Sequence, residues 1–480
     1  MFKDIKRLGK ETVIYGFSTV IVRLLNFILM PFYTHYLLPQ EYGIVATLFS
    51  FIAFLNIIYG YGLNQGYMRH YKNENALPSS FNIIFYTSIP LSLILCLFSK
   101  QISYSLLGIN EYRFIIYCAI ILYLDSITLI PFADLRITHR AKRFVFVRTI
   151  SIISNVILNI LFLASFKMGI DGIFYANICS SFISLLLLGE YFKNLFYKIE
   201  IKVLKEIFNY SLPLLPAGLS MVIMQVIDRP IMMKLASAYD VGIYQANYRL
   251  AIIMNLIVTM FDQAWRPFVI ERAEDSNAPE IFSKVLNYFS FIALFIWLLL
   301  SIFIGDIVSI EIRKGIPIVN SIYYQGLKIV PIIMGAYFLN GLYINFIAPL
   351  IIKKNTKAIM YSTILGAASN LLFNFILIPK YSIVGASLSC FASYLIMAVL
   401  IRYYSYKSYP VRYEYRKVAF LISVAIFLYL IYHLSNGRFT HIFLIKIALI
   451  FSYPVIIYFT GFFSREELDR IKSLMRLKSI

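Results

Sequence analysis

Fourteen apolar stretches follow one another along the chain, separated by short polar gaps. They begin near Thr12, Glu41, Ser80, Tyr112, Thr149, Ile170, Tyr210, Val241, Val285, Tyr323, Lys357, Ser382, Val418 and Thr440. A helix needs about 20 mostly apolar residues to cross the hydrocarbon core. Lipid offers no partner to an open peptide group, so stretches of this composition and length cross as helices. The pattern therefore predicts an all-α polytopic membrane protein with ~14 transmembrane helices, which consume ~280 residues and leave no room for a soluble domain.

Composition supports that picture: 60% of the 480 residues are hydrophobic and 14% charged, against about 25% charged in soluble chains. The net charge of +20 is unevenly placed. Thirty-one of the 44 Lys and Arg fall in alternate gaps, beginning with Lys3, Lys6, Arg7 and Lys10, and eight fall in the gaps between. This bias predicts that both termini are cytoplasmic. The basic charge then faces anionic lipid of the inner leaflet, which argues against a nucleic-acid partner. Cys96, Cys118, Cys179 and Cys390 all lie within spans and lack the spacing of a metal site or disulfide framework. The first apolar stretch has the length of a true span and shows no small-residue cleavage site.

Two parts of the chain match one another. PFYTHYLLPQEYGI from Pro31 aligns with PIMMKLASAYDVGI from Pro230 at an offset of 199, placing Glu41 on Asp240, Gly43 on Gly242 and Asn56 on Asn255. Further on, SNVILNILF at Ser154 matches SNLLFNFIL at Ser369, with Gly172 and Gly385 opening the next span. Two matches in the same order predict a duplicated six-helix unit. Because six is even, the copies enter the membrane in one direction and are related by an axis along its normal. The expected organisation is a first lobe over 1–206 with spans one to six and an amphipathic linker, a second lobe over 207–410, and a helix pair with a cytoplasmic tail over 411–480. The linker EYFKNLFYKIEIKVLKEIF is long enough to lie in the interface and join the lobes. In the tail, Ser464 and Glu467 have capping-box spacing, and Leu468, Ile471 and Met475 mark one face of a surface-lying helix.

Few polar residues lie inside the spans, and these are the candidate chemistry. Arg23 sits about eleven residues into span one, with Asn26 a turn away; Asn56 is in span two and Asp125 in span four. Span seven carries Gln225, Asp228 and Arg229, and span eight carries Asn247, Arg249 and Asn255, with Asp262 and Gln263 near its inner end. An arginine at the bilayer centre costs ~2.5–3.5 kcal/mol on insertion scales, so such groups face a partner or a wet cavity. Lys328 and Lys446, close to outer ends, read as snorkelling side chains. Arg229 has Asp228 beside it to neutralise it, and the asparagines join packed helices equally well. Arginine exceeds carboxylate on spans one, seven and eight. A drug-cation exporter needs the opposite balance, whereas a carrier of phosphorylated lipid needs donors, and the planar fork of arginine fits phosphate oxygens.

The segments GKETVIYGFSTVIVRLLNFILMPFYTHYLLPQEYGI and YSLPLLPAGLSMVIMQVIDRPIMMKLASAYDVGIYQANYRL resemble the openings of the two lobes of polysaccharide-export oligosaccharide flippases, of the multidrug/oligosaccharidyl-lipid/polysaccharide exporter superfamily. The elements that carry the resemblance are Leu38-Pro39, Tyr42-Gly43 and Arg69, then Leu212-Pro213, Asp228-Arg229, Gly242-Ile243-Tyr244, Tyr248-Arg249 and Trp265-Arg266-Pro267, between about Gly9 and Arg416. The resemblance implies lobes that open alternately, with spans one, two, seven and eight around a cationic cavity. Its cargo would be a polyprenyl-diphosphate-linked oligosaccharide repeat unit, crossing the bacterial inner membrane for O-antigen, capsule or exopolysaccharide assembly. The polymerase and glycosyltransferases of the same pathway are its expected partners, besides membrane lipids. On that basis Arg23, Arg249 and Arg229 are expected to grip the diphosphate, and Asn26, Asn56, Asn247 and Asn255 to meet sugar hydroxyls.

Three other functions are open to the sequence. A lipid II flippase shares the superfamily but typically carries further arginines in span two, where this chain has Asn56 and Asn64 before Arg69. A multidrug or cation antiporter conflicts with the positive cavity. A membrane glycosyltransferase, polymerase or ligase needs an outer loop that holds an acceptor, and the longest outer gap, about Asp306 to Ile322, is short and sparsely charged. No nucleotide-binding motif, zinc motif or other metal or cofactor signature is present. Energy is expected from an ion gradient or the membrane potential, with Asp125, Asp262 and Asp228 as candidate coupling carboxylates.

Overall fold

The computed structural model describes residues 29–435 and 442–463. Arg23 and Asn26, and the tail helix expected after Ser464, lie outside the described residues. Helix α1 covers residues 29–36 in its described part and turns at Leu37 into α2 (Pro39–Gly60). Proline at the first position of α2 has no N–H to leave unpaired, and Glu41 Oε2 accepts from the Leu38 N–H at 2.8 Å. There follow α3 (Leu63–His70), α4 (Ala76–Leu97), α5 (Ser99–Leu107), α6 (Tyr112–Ile137), α7 (Ala141–Ile160) and α8 (Gly169–Leu187). A 3-10 stretch, Gly189–Phe196, leads to α9 (Ile201–Ser211) and a second one, Leu212–Leu214.

The second half begins with α10 (Leu215–Val226) and α11 (Asp228–Leu235), then α12 (Ala238–Glu271) and α13 (Ala278–Ser309). A small hairpin of β1 (Glu311–Arg313) and β2 (Ile316–Pro317) and a 3-10 turn, Ser321–Ile329, precede α14 (Val330–Ile352). The last helices are α15 (Thr356–Ser408), α16 (Tyr415–Ser435) and α17 (Ile442–Phe459). The chain is a multi-pass membrane protein: by length and composition, ten of the described helices are able to cross a membrane. The 53-residue α15 is two spans, because Ser382 takes φ 46° and ψ −121° and turns the chain back. Gly385 permits that turn, since a Cβ there would lie 2.2 Å from the Leu377 carbonyl oxygen. Large apolar side chains on the outer surfaces of α4, α16 and α17, such as Leu97, Phe427 and Phe451, are exposed, as expected where lipid is the solvent.

The sequence matches coincide with matching geometry. Asn159 Nδ2 donates to Asn155 Oδ1 at 3.1 Å, and Asn374 Nδ2 to Asn370 Oδ1 at 3.0 Å, one turn apart in each case. Asp240 sits at the start of α12 as Glu41 does at the start of α2, here with Ser237 Oγ as the helix cap. At this end the halves meet through several contacts. Tyr323 Oη donates to the Leu37 carbonyl at 3.0 Å, and a His35 ring nitrogen lies 2.8 Å from the Pro317 carbonyl.

The linker is held to the first lobe over its whole length. Asn82 Nδ2 donates to the carbonyls of Asn194 and Tyr197, and Val203, Ile207 and Ser211 of α9 are buried against α3. Asp134, buried at the end of α6, accepts from Tyr67 Oη and Tyr191 Oη at 2.5 Å each. Burial and the neighbouring Asp134 carboxylate push the Tyr191 phenol above its ordinary pKa. Lys446 does not snorkel. It lies buried in α17 and donates to both oxygens of Asp306 in α13, at 2.8 and 2.6 Å, whereas Lys328 is exposed as expected.

Candidate functional site

The span formed by α10 and α11 breaks at Ile227 because Pro230, with no N–H, cannot bond the Val226 carbonyl. Asp228 and Arg229 begin the new helix at the break, and an acid is favourable at such an N-terminus. Both are buried. Arg229 Nη1 donates to Asp228 Oδ1 at 2.6 Å and to the Gln225 carbonyl, and Nε donates to Gln245 Oε1 at 3.1 Å. Its guanidinium lies 4.1 Å from the centre of the Tyr248 ring, and Tyr244 Oη donates to the second Asp228 oxygen at 2.5 Å. Unwound or broken spans at the repeat interface are where secondary transporters place their substrate sites.

Arg229 and Arg249 open onto one cavity of about 390 Å³ between the lobes. Tyr33 of α1 and Tyr42, Val45, Ala46 and Phe49 of α2 form one wall, and Asn155 of α7 and Asn177 of α8 close it. The facing wall is the stripe Gln245, Tyr248, Arg249 and Ile252 of α12, whose spacing of three, four and seven is one face of a helix. The arginines are the charged side chains among the described lining residues, and Arg229 is already neutralised by Asp228. The Tyr42 hydroxyl, fully buried in that wall, has no hydrogen-bond partner among the described residues.

The other candidates lie elsewhere. Asn247 is two residues from Arg249, about 200° around the helix. It is consumed by the carbonyls of Ile243 and Tyr323, at 2.8 and 2.9 Å, and sits away from the cavity. Asn255 is half-buried and does not line it. Asn56 lies two turns beyond Phe49 on α2 and opens instead into a second cavity of about 400 Å³ within the first lobe. Asp125 is there too, accepting from Ser181 Oγ at 2.6 Å, with Asn64, Arg136 and Arg148 around it. Asp262 pairs with Arg266 one turn on, at 2.7 Å, toward the exposed end of α12. Asn155, Asn177, Gln245 and the tyrosines are cavity residues that the sequence did not single out as site residues, though Tyr42 and Tyr248 stand among those that carry the family resemblance. For Gln245 the signal was present, one turn from Arg249 on the same face.

A cavity between two helical lobes, entered by one arginine of a broken span and one of the helix that follows it, defines a membrane transporter architecture, and comparisons with known proteins place it further. The profile of a family described as polysaccharide biosynthesis proteins matches residues 34–313. The chain belongs to this family. It is 28% identical over 229 residues to the capsular polysaccharide biosynthesis protein CapF of Staphylococcus aureus, a match covering 46% of this chain and 54% of that protein, so it spans about half the length of its curated relative. Among solved structures, the lipid II flippase MurJ in an inward closed conformation superimposes with TM-score 0.73 at 16% identity, covering 94% of this chain and all of that one. An inward-facing multidrug resistance MATE family transporter superimposes with TM-score 0.61 at 14% identity, covering 81% and 97%. The fold is thus the one shared by these transporters, with two pseudo-symmetric lobes and a further helix pair.

Proposed function

We propose that this protein is a flippase that carries a polyprenyl-diphosphate-linked oligosaccharide repeat unit across the bacterial inner membrane, by alternating access, for O-antigen, capsule or exopolysaccharide assembly. The observation that carries the reading is the composition of the interlobe cavity: two arginines, three amides and three tyrosines, with no carboxylate among its described lining residues. Guanidinium donors match phosphate oxygens. The amides of Asn155, Asn177 and Gln245 match sugar hydroxyls. Such groups bind polyols with little selectivity, while the polyprenyl tail stays in lipid.

The likeness of fold to a lipid II flippase favours a second reading, a peptidoglycan precursor as cargo. The wall that α2 presents, Tyr42, Val45, Ala46 and Phe49, carries no arginine, which supports the first. A cation exporter is disfavoured by the cavity's positive charge. Transport draws on an ion gradient or the membrane potential, the latter worth ~2.3 kcal/mol per charge per 100 mV. Polymerase and glycosyltransferases of the pathway supply and consume the cargo. The test is reconstitution in liposomes holding a polyprenyl-diphosphate oligosaccharide whose exposure is read by a soluble lectin. Wild type moves it and Arg249→Ala does not; equal movement by both, or movement of lipid II alone, would sink the assignment.

A further inference from the structure

Three helix ends meet at one membrane surface, beside the second lobe: the first turns of α13, the start of α16 and the end of α17. Between them and the segment 409–414 lies a cavity of about 710 Å³. Two of its carboxylates are neutralised in place. Glu280 pairs with Lys284 at 2.8 Å, and Glu414 with Lys417 at 3.1 Å. Arg412 also lines the cavity, is exposed to it, and has no carboxylate partner among the described residues. Among its described lining residues the cavity therefore carries one surplus positive charge.

Two further side chains in the wall, Ser283 and Asn287, are buried, 5% and 4% exposed. Asn287 Nδ2 donates to Glu414, which ties the segment 409–414 to α13 and leaves the charged groups as the side of the cavity open to a ligand. The cavity lies where the spans begin, walled by Tyr288 and Phe462, and the flanks of α16 and α17 expose Phe420, Val455 and Phe459 to the bilayer.

We propose that this cavity binds the headgroup of an anionic glycerophospholipid, phosphatidylglycerol in kind. Its phosphodiester lies against Arg412 and Lys417, and its acyl chains run along α16 and α17. Because the site shares no described lining residue with the interlobe cavity, the inference does not rest on the cargo proposed above. It makes the helix pair α16–α17 a lipid-responsive element, bound at one end by this headgroup and at the other by the Lys446–Asp306 pair.

Native mass spectrometry of the full chain, delipidated and then offered phosphatidylglycerol or phosphatidylcholine, tests this. Wild type is expected to retain one phosphatidylglycerol, preferred on the order of tenfold over phosphatidylcholine. Arg412→Ala with Lys417→Ala should lose that preference, with the thermal midpoint in phosphatidylcholine unchanged. Should the double variant fail to fold, Arg412→Gln, at an exposed residue without a carboxylate partner, serves in its place. Equal retention of the two lipids by wild type, or an undiminished preference in the variant, overturns the proposal. So does displacement of the lipid by glycerol 3-phosphate at equal concentration, which would mark a site for a soluble phosphate.

Discussion

Gly43 and Gly242 close on each other's helices in reciprocal fashion. A Cβ on Gly43 would lie 1.9 Å from the Ala238 carbonyl oxygen, and one on Gly242 would lie 1.8 Å from that of Pro39. Ala238 stands to Gly242 as Pro39 stands to Gly43, so the contact is one arrangement made twice about the axis between the lobes. Backbone meets backbone here, and no side chain is able to yield.

Gly43→Ala and Gly242→Ala should therefore pry this end apart. Overpacking of this kind costs typically 1–3 kcal/mol, and 1.4 kcal/mol is tenfold in a two-state population. A cysteine placed at Ala46 on the cavity wall should react about tenfold faster with an impermeant maleimide in either variant. Unchanged labelling in both would mean the contact does not hold the closed state.

Asp228 and Arg229 occupy positions that correspond, at the offset of 199, to Leu29 and Met30, both buried and apolar. Asp228→Asn leaves a buried guanidinium without its counter-charge and should destabilise the protein by about 3–5 kcal/mol. Asp228→Leu with Arg229→Met, the first lobe's solution, should recover the thermal midpoint. If Arg229 also serves the cargo, this double variant stays inactive in the liposome assay. Recovery of transport would assign the pair a purely structural role.

Arg249 is expected to act as a fork rather than as a point charge. Arg249→Lys should restore only part of the transport that Arg249→Ala removes, with equal amounts of each variant in the membrane. Arg23→Ala is expected to abolish transport as well. A lysine variant at full rate would show that charge alone suffices.

Asp125 and Asp262 are separable as coupling groups. Asp262 is bound to Arg266 at an exposed helix end, and Asp262→Asn should transport normally. Asp125 faces a polar cavity within one lobe, and Asp125→Asn should abolish the response of transport to an imposed ion gradient. A normal gradient response in Asp125→Asn would move coupling to other groups.

The span map was legible because lipid forces the whole backbone into helices, so apolar length alone sets each element. Even the turn at Ser382, between the two spans of α15, falls where an apolar run restarts. The polar sites were less legible because hydropathy carries no azimuth. Asn247 and Gln245 look equivalent in sequence, yet one bonds Tyr323 on the far side of α12 and the other faces the cavity. Asp134 was hidden by position. Nothing in the sequence set it apart, and only the fold brings Tyr67 and Tyr191 onto its two oxygens. Lys446 gave the wrong impression for the related reason that its partner, Asp306, is 140 residues away in sequence.

The anchoring of the linker has a mechanical consequence. With α9 fixed to the first lobe as far as Ser211, the first segment at which the second lobe is able to swing is Leu212–Leu214, where Pro213 and the nearby Pro216 interrupt helical hydrogen bonding. This pivot lies by Gly62, just past the far end of α2 from Gly43 and about 28 Å from it at 1.5 Å per residue. With a lever arm of that length, a rotation of about 10° at three residues would part the two glycines by roughly 5 Å. For the alternating access proposed above, gating would need very little bending, all of it at a hinge that the sequence has stiffened on one side and loosened on the other.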